Sequence, residues 1–353
     1  MPAGVDGGGR MTETTRFWIG ASTLGELGSP AAGVRPLDVD NDGTARLGAP
    51  IDVGPNPMFL AFDGRDRIAI AHELDDGQVS TWRVDGERLH PLAPRSATGA
   101  AGPCHVAWDA DGARLLVANY VGGRLSVHRS ADGRLLASFD FVGDGPRFDR
   151  QQSPHAHQSV LDPARGRLLV NDLGSDRVRV IRFTPTGDPT HDDADDDADD
   201  VVLHGGAGPR HLVIAGNLAV VANELDRTVS LIDLATGSEL LAVPAGPDVT
   251  PRGLGLSAIR ITRAGTVLIG DRDLDGVQVL RLDASQRSLS HVTSIVTGGA
   301  HPRDLELTHD ERHLVVADQA SDSLAVIALD AFGVPSDVAS TVATPAPACV
   351  ARL

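Results

Sequence analysis

Short apolar runs rich in Val, Leu, Ile and Ala punctuate this chain, each bounded by turn-forming residues. They read Trp18-Ile-Gly-Ala21, Ile68-Ala-Ile-Ala-His72, Leu115-Leu-Val-Ala-Asn119, Leu168-Leu-Val-Asn-Asp172, Ala219-Val-Val-Ala-Asn223, Val267-Leu-Ile-Gly-Asp271 and Leu314-Val-Val-Ala-Asp318. All but the first end on a polar residue, and their ends recur at intervals of 47 to 53 residues. Runs this short, β-branched and bounded by turns are strands. No segment sustains a 3.6-residue period, which excludes a helical solenoid.

The order within one repeat is legible. A leading strand such as Cys104-His-Val-Ala-Trp108 is followed by the turn Asp109-Ala-Asp-Gly112 and the apolar run Leu115 to Asn119. A small polar loop then leads to an alternating strand, Arg124-Leu-Ser-Val-His128, and to a weaker fourth one, as suits an outer edge. Seven such repeats predict an all-β chain, a seven-bladed β-propeller of four-stranded antiparallel blades. The first repeat has no leading strand of its own, so the tail after Ala331 is expected to complete that blade and close the ring.

Composition changes the picture in three places. A net charge of −17 argues against nucleic acid or an anionic membrane as partner. Much of it is local: the run from Asp188 to Asp200 holds eight aspartates, and it is expected to be a solvated loop insertion whose removal from Thr190 to Asp200 leaves the fold intact. All 31 basic residues are arginine, which excludes Schiff-base chemistry and a Walker-type phosphate loop. The two cysteines, Cys104 and Cys349, form no framework and suit a reducing compartment. With no apolar run of membrane-spanning length and a polar start, the expectation is a cytoplasmic protein: a disordered tail over 1–15 and one propeller over 16–353.

Hairpin geometry says where a site must lie. The start of each first strand and the end of each second strand share one face of the ring, opposite the Asp-Gly turns. One set of residues precedes or opens the first strands: Asn56-Pro57, Gly102-Pro-Cys-His105, Ser153-Pro-His-Ala-His157, Gly208-Pro-Arg-His211 and His301-Pro-Arg303. The other follows the second strands: Ser22, Glu73, Tyr120, Leu173, Glu224, Arg272 and Gln319. Glu224 and Arg272 then occupy one register in neighbouring blades, Arg210 opens the strand paired with the one ending at Glu224, and His157 comes from the blade before. Two arginines, a glutamate and a histidine can hold an anion and move a proton. Taken singly, Arg210 with Glu224 also reads as a structural ion pair, and His157 as a core histidine.

Other signals lead nowhere. Asp38-Val-Asp-Asn-Asp-Gly43 and Asp271-Arg-Asp-Leu-Asp-Gly276 imitate the start of a calcium loop, but the twelfth ligand falls on Ala49 and Leu282. The chain has no Gly-x-Ser-x-Gly, His-Glu-x-x-His or Cys-x-x-Cys.

Over about residues 16 to 330 the chain resembles the lactonase propellers, the family of propeller-type 6-phosphogluconolactonases to which fungal carboxymuconate cycloisomerases also belong. The resemblance rests on Asn56-Pro-Met-Phe-Leu60, Pro103-Cys-His-Val106, Val117-Ala-Asn-Tyr120, Ser153-Pro-His-Ala-His157, Asp172-Leu-Gly-Ser-Asp-Arg-Val178, Pro302-Arg303 and, most specifically, Gly206-Ala-Gly-Pro-Arg-His-Leu212 with Ala222-Asn-Glu-Leu225. It implies a hydrolase that opens an anionic sugar lactone without metal or organic cofactor. Its catalytic residues would fall on His157, Glu224, Arg210 and Arg272; by their place at the first strands, His105, His155, His211 and Arg303 are expected around the substrate. A muconate-type cycloisomerase and a non-catalytic binding propeller are the competing readings. Ile259-Arg260, where the family often has Ile-His, and Gly20-Ala-Ser-Thr23 depart from its pattern.

Overall fold

The computed structural model describes residues 14–183, 189–190, 199–247 and 252–353. Blade 3 shows how the sequence builds one unit. Its strands Pro103–Trp108, Arg114–Asn119, Arg124–Arg129 and Leu135–Asp140 pair antiparallel in chain order. Asp109 ends the first and turns the chain: its Oδ1 accepts from the Arg114 amide at 3.0 Å, while Gly112 takes the positive φ (75°) that the turn requires. Second strands such as Leu218–Asn223 and His313–Asp318 are buried at every position, which is why they read as unbroken apolar runs. Outer strands such as Ser238–Pro244 alternate between exposed and half-buried positions, hence their weak signal.

Seven such sheets form the ring. Seven clusters of buried apolar side chains hold it together, and each spans two adjacent blades. Leu169, Val178 and Val180 of blade 4, for example, pack on Leu212, Ala219 and Val221 of blade 5. The C-terminal strand Pro347–Arg352 pairs with Thr15–Ala21 and is the innermost strand of blade 1. The tail thus supplies one strand to that blade, while Pro335–Ala343 stays behind as the outer strand of blade 7.

Two expected boundaries shift. Thr15, expected in a disordered tail, is buried and opens the first strand; residues 1–13 lie outside the described ones. Of the acidic run, residues 191–198 and Asp188 also lie outside them, but its end is folded. Asp200 is buried, accepts from the Val180 amide at 2.9 Å and lies 3.0 Å from the Arg179 guanidinium. The run splits the outer strand of blade 4 into Pro189–Thr190 and Val201–Val202, both paired with Arg177–Phe183. Asp200 is therefore a structural residue and not part of a solvated loop, because an arginine buried on the third strand needs its charge.

In five blades the polar residue ending the second strand meets the side chain two places along the third strand. His72 meets Ser80 (2.9 Å), Asn119 meets Ser126 (2.8 Å), Asp172 meets Arg179 (2.9 Å), Asn223 meets Ser230 (2.7 Å) and Asp271 meets Gln278 (2.8 Å). In blade 7 the corresponding residue is Ala325, which leaves Asp318 with the Thr297 hydroxyl (2.9 Å) and its Oδ2 without a partner.

Candidate active site

One hydrogen bond recurs around the ring and defines the face of interest. The amides of Ser22, Glu73, Tyr120, Leu173, Glu224, Arg272 and Gln319 donate to the carbonyls of Ala346, Asn56, Gly102, His155, Gly208, Gly255 and His301, at 2.7 to 3.1 Å. Each acceptor stands just before an inner strand, so the register expected of the second-strand ends holds in all seven blades. Several acceptors carry a positive φ (64° at Gly208, 69° at Gly255), and at Gly255 a Cβ would lie 1.9 Å from the Glu224 carbonyl oxygen. Gly102, Gly208 and Gly255 thus answer a local backbone need, which Asn56, His301 and Ala346 meet in other blades with a positive φ of their own.

The inner strands slip by one residue directly after this point. Pro209 pairs with Asn223 but His211 with Ala222; Ala156 pairs with Asp172 but Gln158 with Asn171; Pro302 pairs with Asp318 but Asp304 with Ala317. The bulged residues are Arg210, His157 and Arg303, with Cys104 and Met58 at the same place in blades 3 and 2. A bulge adds a residue outside the alternation of the strand and re-aims its side chain, which is how chemistry-bearing groups reach the channel mouth.

Glu224 is the centre of this mouth. Its Oε2 lies 3.0 Å from Arg210 Nε and 2.8 Å from an Arg272 Nη, and its Oε1 accepts from Arg150 at 2.7 Å. Burial alone would raise the Glu224 carboxyl, but Arg272, Arg210 and Arg150 hold it well below the usual carboxylate range. It is a carboxylate at any working pH. Burial, and next the charge of Arg272, lower Arg210 to about 10, still cationic at neutrality. Although Arg210 Nε is close to Glu224, its N–H is not aimed there, and both Nε and Nη1 are buried without a hydrogen-bond partner among the described residues. Buried guanidinium donors are rarely left so, and they ask for an oxygen-bearing ligand or water.

His157 lies beside this cluster, 7% exposed, with its Nδ1 3.8 Å from the Cys104 sulfur. Burial, then Arg210, push its imidazole well below the ordinary value, so it is neutral at pH 7. Tyr120 stands edge-on to it, ring centres 5.4 Å apart, and stacks on His155 at 4.4 Å; His155 Nδ1 bonds the Tyr120 carbonyl at 2.9 Å. The Cys104 thiol is driven up by burial and is no nucleophile.

The other expected residues are distributed differently. Arg303 pairs with Glu73 at 3.0 Å rather than with Glu224. His211 is buried under the mouth, its ring centre 5.3 Å from that of His157 and its Nδ1 without a partner. His105 is not brought to the carboxylate. It packs on Phe59 at 4.3 Å and, with Arg260 and Glu306, lines a cavity of about 350 Å³ reached from the other ends of the inner strands. The reason is register: Cys104 takes the bulge in blade 3, which sends His105 the other way. The sequence reading missed Arg150 and the Arg303–Glu73 pair. Glu73 stood in the right register to be found, whereas Arg150 lies on the connection between Asp140 and Ala156, which no repeat predicts.

His72 bonds the Pro55 carbonyl and the Ser80 hydroxyl through its two nitrogens. Among the described residues no helix is long and apolar enough to cross a membrane.

Comparisons with known proteins agree with this fold. The chain is 28% identical over 317 residues to the 6-phosphogluconolactonase of Bacillus subtilis strain 168, covering 84% of this chain and 86% of that one. It is 30% identical over 288 residues to an uncharacterised Lactococcus lactis protein, covering 78% and 81%. Among solved structures, a Lactobacillus plantarum protein superposes with a TM-score of 0.86 at 28% identity, covering 97% of this chain and all (100%) of that one. The periplasmic gluconolactonase of Pseudomonas aeruginosa superposes with a TM-score of 0.87 at 23% identity, covering 97% and 99%, which shows a shared fold. The family model described as lactonase, 7-bladed beta-propeller matches residues 16–352, and the chain belongs to that family.

Proposed function

We propose that this protein hydrolyses an anionic sugar lactone at the Glu224 mouth, with 6-phosphogluconolactone as the substrate of first choice. The observation that carries this reading is the pairing of an over-coordinated carboxylate with unused donors. Three guanidiniums surround one glutamate, two N–H groups of Arg210 have no partner, and a neutral imidazole stands alongside. The excess positive charge suits an anion in a protein whose net charge is −17.

In the reaction so read, His157 takes a proton from water as the water oxygen bonds to the ring carbonyl carbon. The tetrahedral oxyanion is met by the free donors of Arg210 and by Arg272. Collapse breaks the carbon–oxygen bond of the ring, and the proton on His157 passes to the departing alkoxide. The new carboxylic acid ionises, so each turnover releases one proton. Glu224, permanently ionised, shares no proton; it aligns the arginines. That same ionisation counts against cycloisomerisation, which needs an acid to protonate carbon, since neither Glu224 nor the neutral His157 is a ready donor at neutral pH.

Two free, buried cysteines fit a cytoplasmic setting, where phosphorylated sugars are held. The deciding experiment follows proton release from 6-phosphogluconolactone with the purified protein, corrected for spontaneous opening. Release at the uncatalysed rate would remove 6-phosphogluconolactone as the substrate.

A further inference from the structure

Of the three arginines on Glu224, one is attached differently. The side chains of Arg210 and Arg272 are 3% and 10% exposed, and that of Arg150 is 34% exposed. Arg272 is tied down by the Gly255 and Leu256 carbonyls as well as by Glu224. Among the described residues the Arg150 guanidinium holds only the Glu224 carboxylate (2.7 Å) and the Tyr120 hydroxyl (3.2 Å). It reaches them from the connection between blades 3 and 4, across to the end of a blade 5 strand.

The backbone beneath it is anchored. The neighbouring Gln151 is fully buried; its Nε2 donates to the Leu173 carbonyl (2.9 Å) and to Asp176 (2.6 Å), and its Oε1 accepts from the Arg147 amide (3.0 Å). The Arg150 side chain can therefore change partner by rotation about its own bonds while the loop stays in place. Glu224 keeps Arg210 and Arg272 when this happens, so the exchange does not strand a buried charge.

We propose that Arg150 is a specificity-determining residue: it neutralises Glu224 Oε1 in the empty site and turns its guanidinium onto the anionic group of the incoming lactone. This deepens the lactonase reading and rests on it. Arg150 thereby sets the preference for charged over neutral lactones, while Arg210 and Arg272 serve the reacting carbonyl. A planar fork suits a phosphate or carboxylate better than a point charge does.

The test compares 6-phosphoglucono-δ-lactone with glucono-δ-lactone, which differ only in the phosphate, using wild type, R150A and R150K. The ratio of kcat/KM for the two lactones is expected to fall at least tenfold in R150A, chiefly through a higher KM for the phosphorylated one. R150K should recover part of the loss. Equal proportional losses on both lactones, or no loss on either, would overturn the proposal. If the wild type opens neither lactone, the hydrolase reading fails by itself, and calorimetric titration with 6-phosphogluconate decides the role of Arg150. Binding at least tenfold tighter to wild type than to R150A upholds it; equal binding, or none to wild type, removes it. Melting curves of both variants verify folding.

Discussion

The imidazole of His157 shows how much a side chain's surroundings alter what its type suggests. A histidine near a glutamate is readily taken for an acid–base pair with a titration near 6.5. Here burial and Arg210 outweigh Glu224, and the pKa moves down. A base must be neutral to act, and a lowered pKa confines the protonated form to acid solution. The ascending limb of kcat/KM against pH is therefore expected below 6.5, with a plateau through neutrality. A limb at or above 6.5 would remove His157 as the base. His157→Ala should lower turnover by about 10²–10⁴-fold without a large change in melting temperature. At this scale the sequence exposed four of the mouth residues, His157, Arg210, Glu224 and Arg272, because each sits in a repeated register. Arg150 stayed hidden because its position depends on a loop without periodicity.

At the level of the element, the seam of polar residues ending the second strands is the informative feature. Five of them meet a polar side chain on the third strand, whereas Asp318 faces Ala325 in that place and keeps one oxygen unpaired. Burial raises its carboxyl to about 7. A folded-state value above the unfolded one stabilises the protein fully below about pH 4, and this contribution is lost as pH rises toward 7. Asp318→Asn should therefore flatten the fall in melting temperature between pH 5 and 8 and raise it at pH 8; an unchanged profile would show that Asp318 is not the group titrating. Asp200 makes the opposite case. It is an acidic residue held in the core, and its removal leaves Arg179 with only part of its compensating charge, that of Asp172. Asp200→Ala is expected to cost about 3–5 kcal/mol in urea unfolding, as for other broken buried pairs. A loss below 1 kcal/mol would return Asp200 to the solvated insertion.

For the whole molecule, stability depends on closure. Each apolar cluster is shared by two blades, so an open ring exposes the inner faces on both sides of the gap. The strand Pro347–Arg352 carries Cys349 and Val350 into the clusters on either side of blade 1. A chain ending at Thr344 should lose cooperative unfolding and gain exposed apolar surface, read as dye binding and a broadened melt. A sharp melt near that of the full chain would mean that the remaining three strands of blade 1 suffice.

Blade number, strand order and the face on which the strand-end residues gather were all legible in the sequence, because they follow from local periodicity: apolar runs buried on two faces, Asp-Gly turns, and polar strand ends spaced by one blade. Arg210 and Arg272 beside Glu224 were legible as well, but the other partners at that face were not. That Arg303 belongs to Glu73 while Arg150 belongs to Glu224, and that Cys104 in place of His105 occupies the bulge, depends on one-residue slips and on a loop crossing between blades. Repetition along the chain determines where residues can meet. Only the closed ring, with its bulges and its unequal connections, decides which of them do.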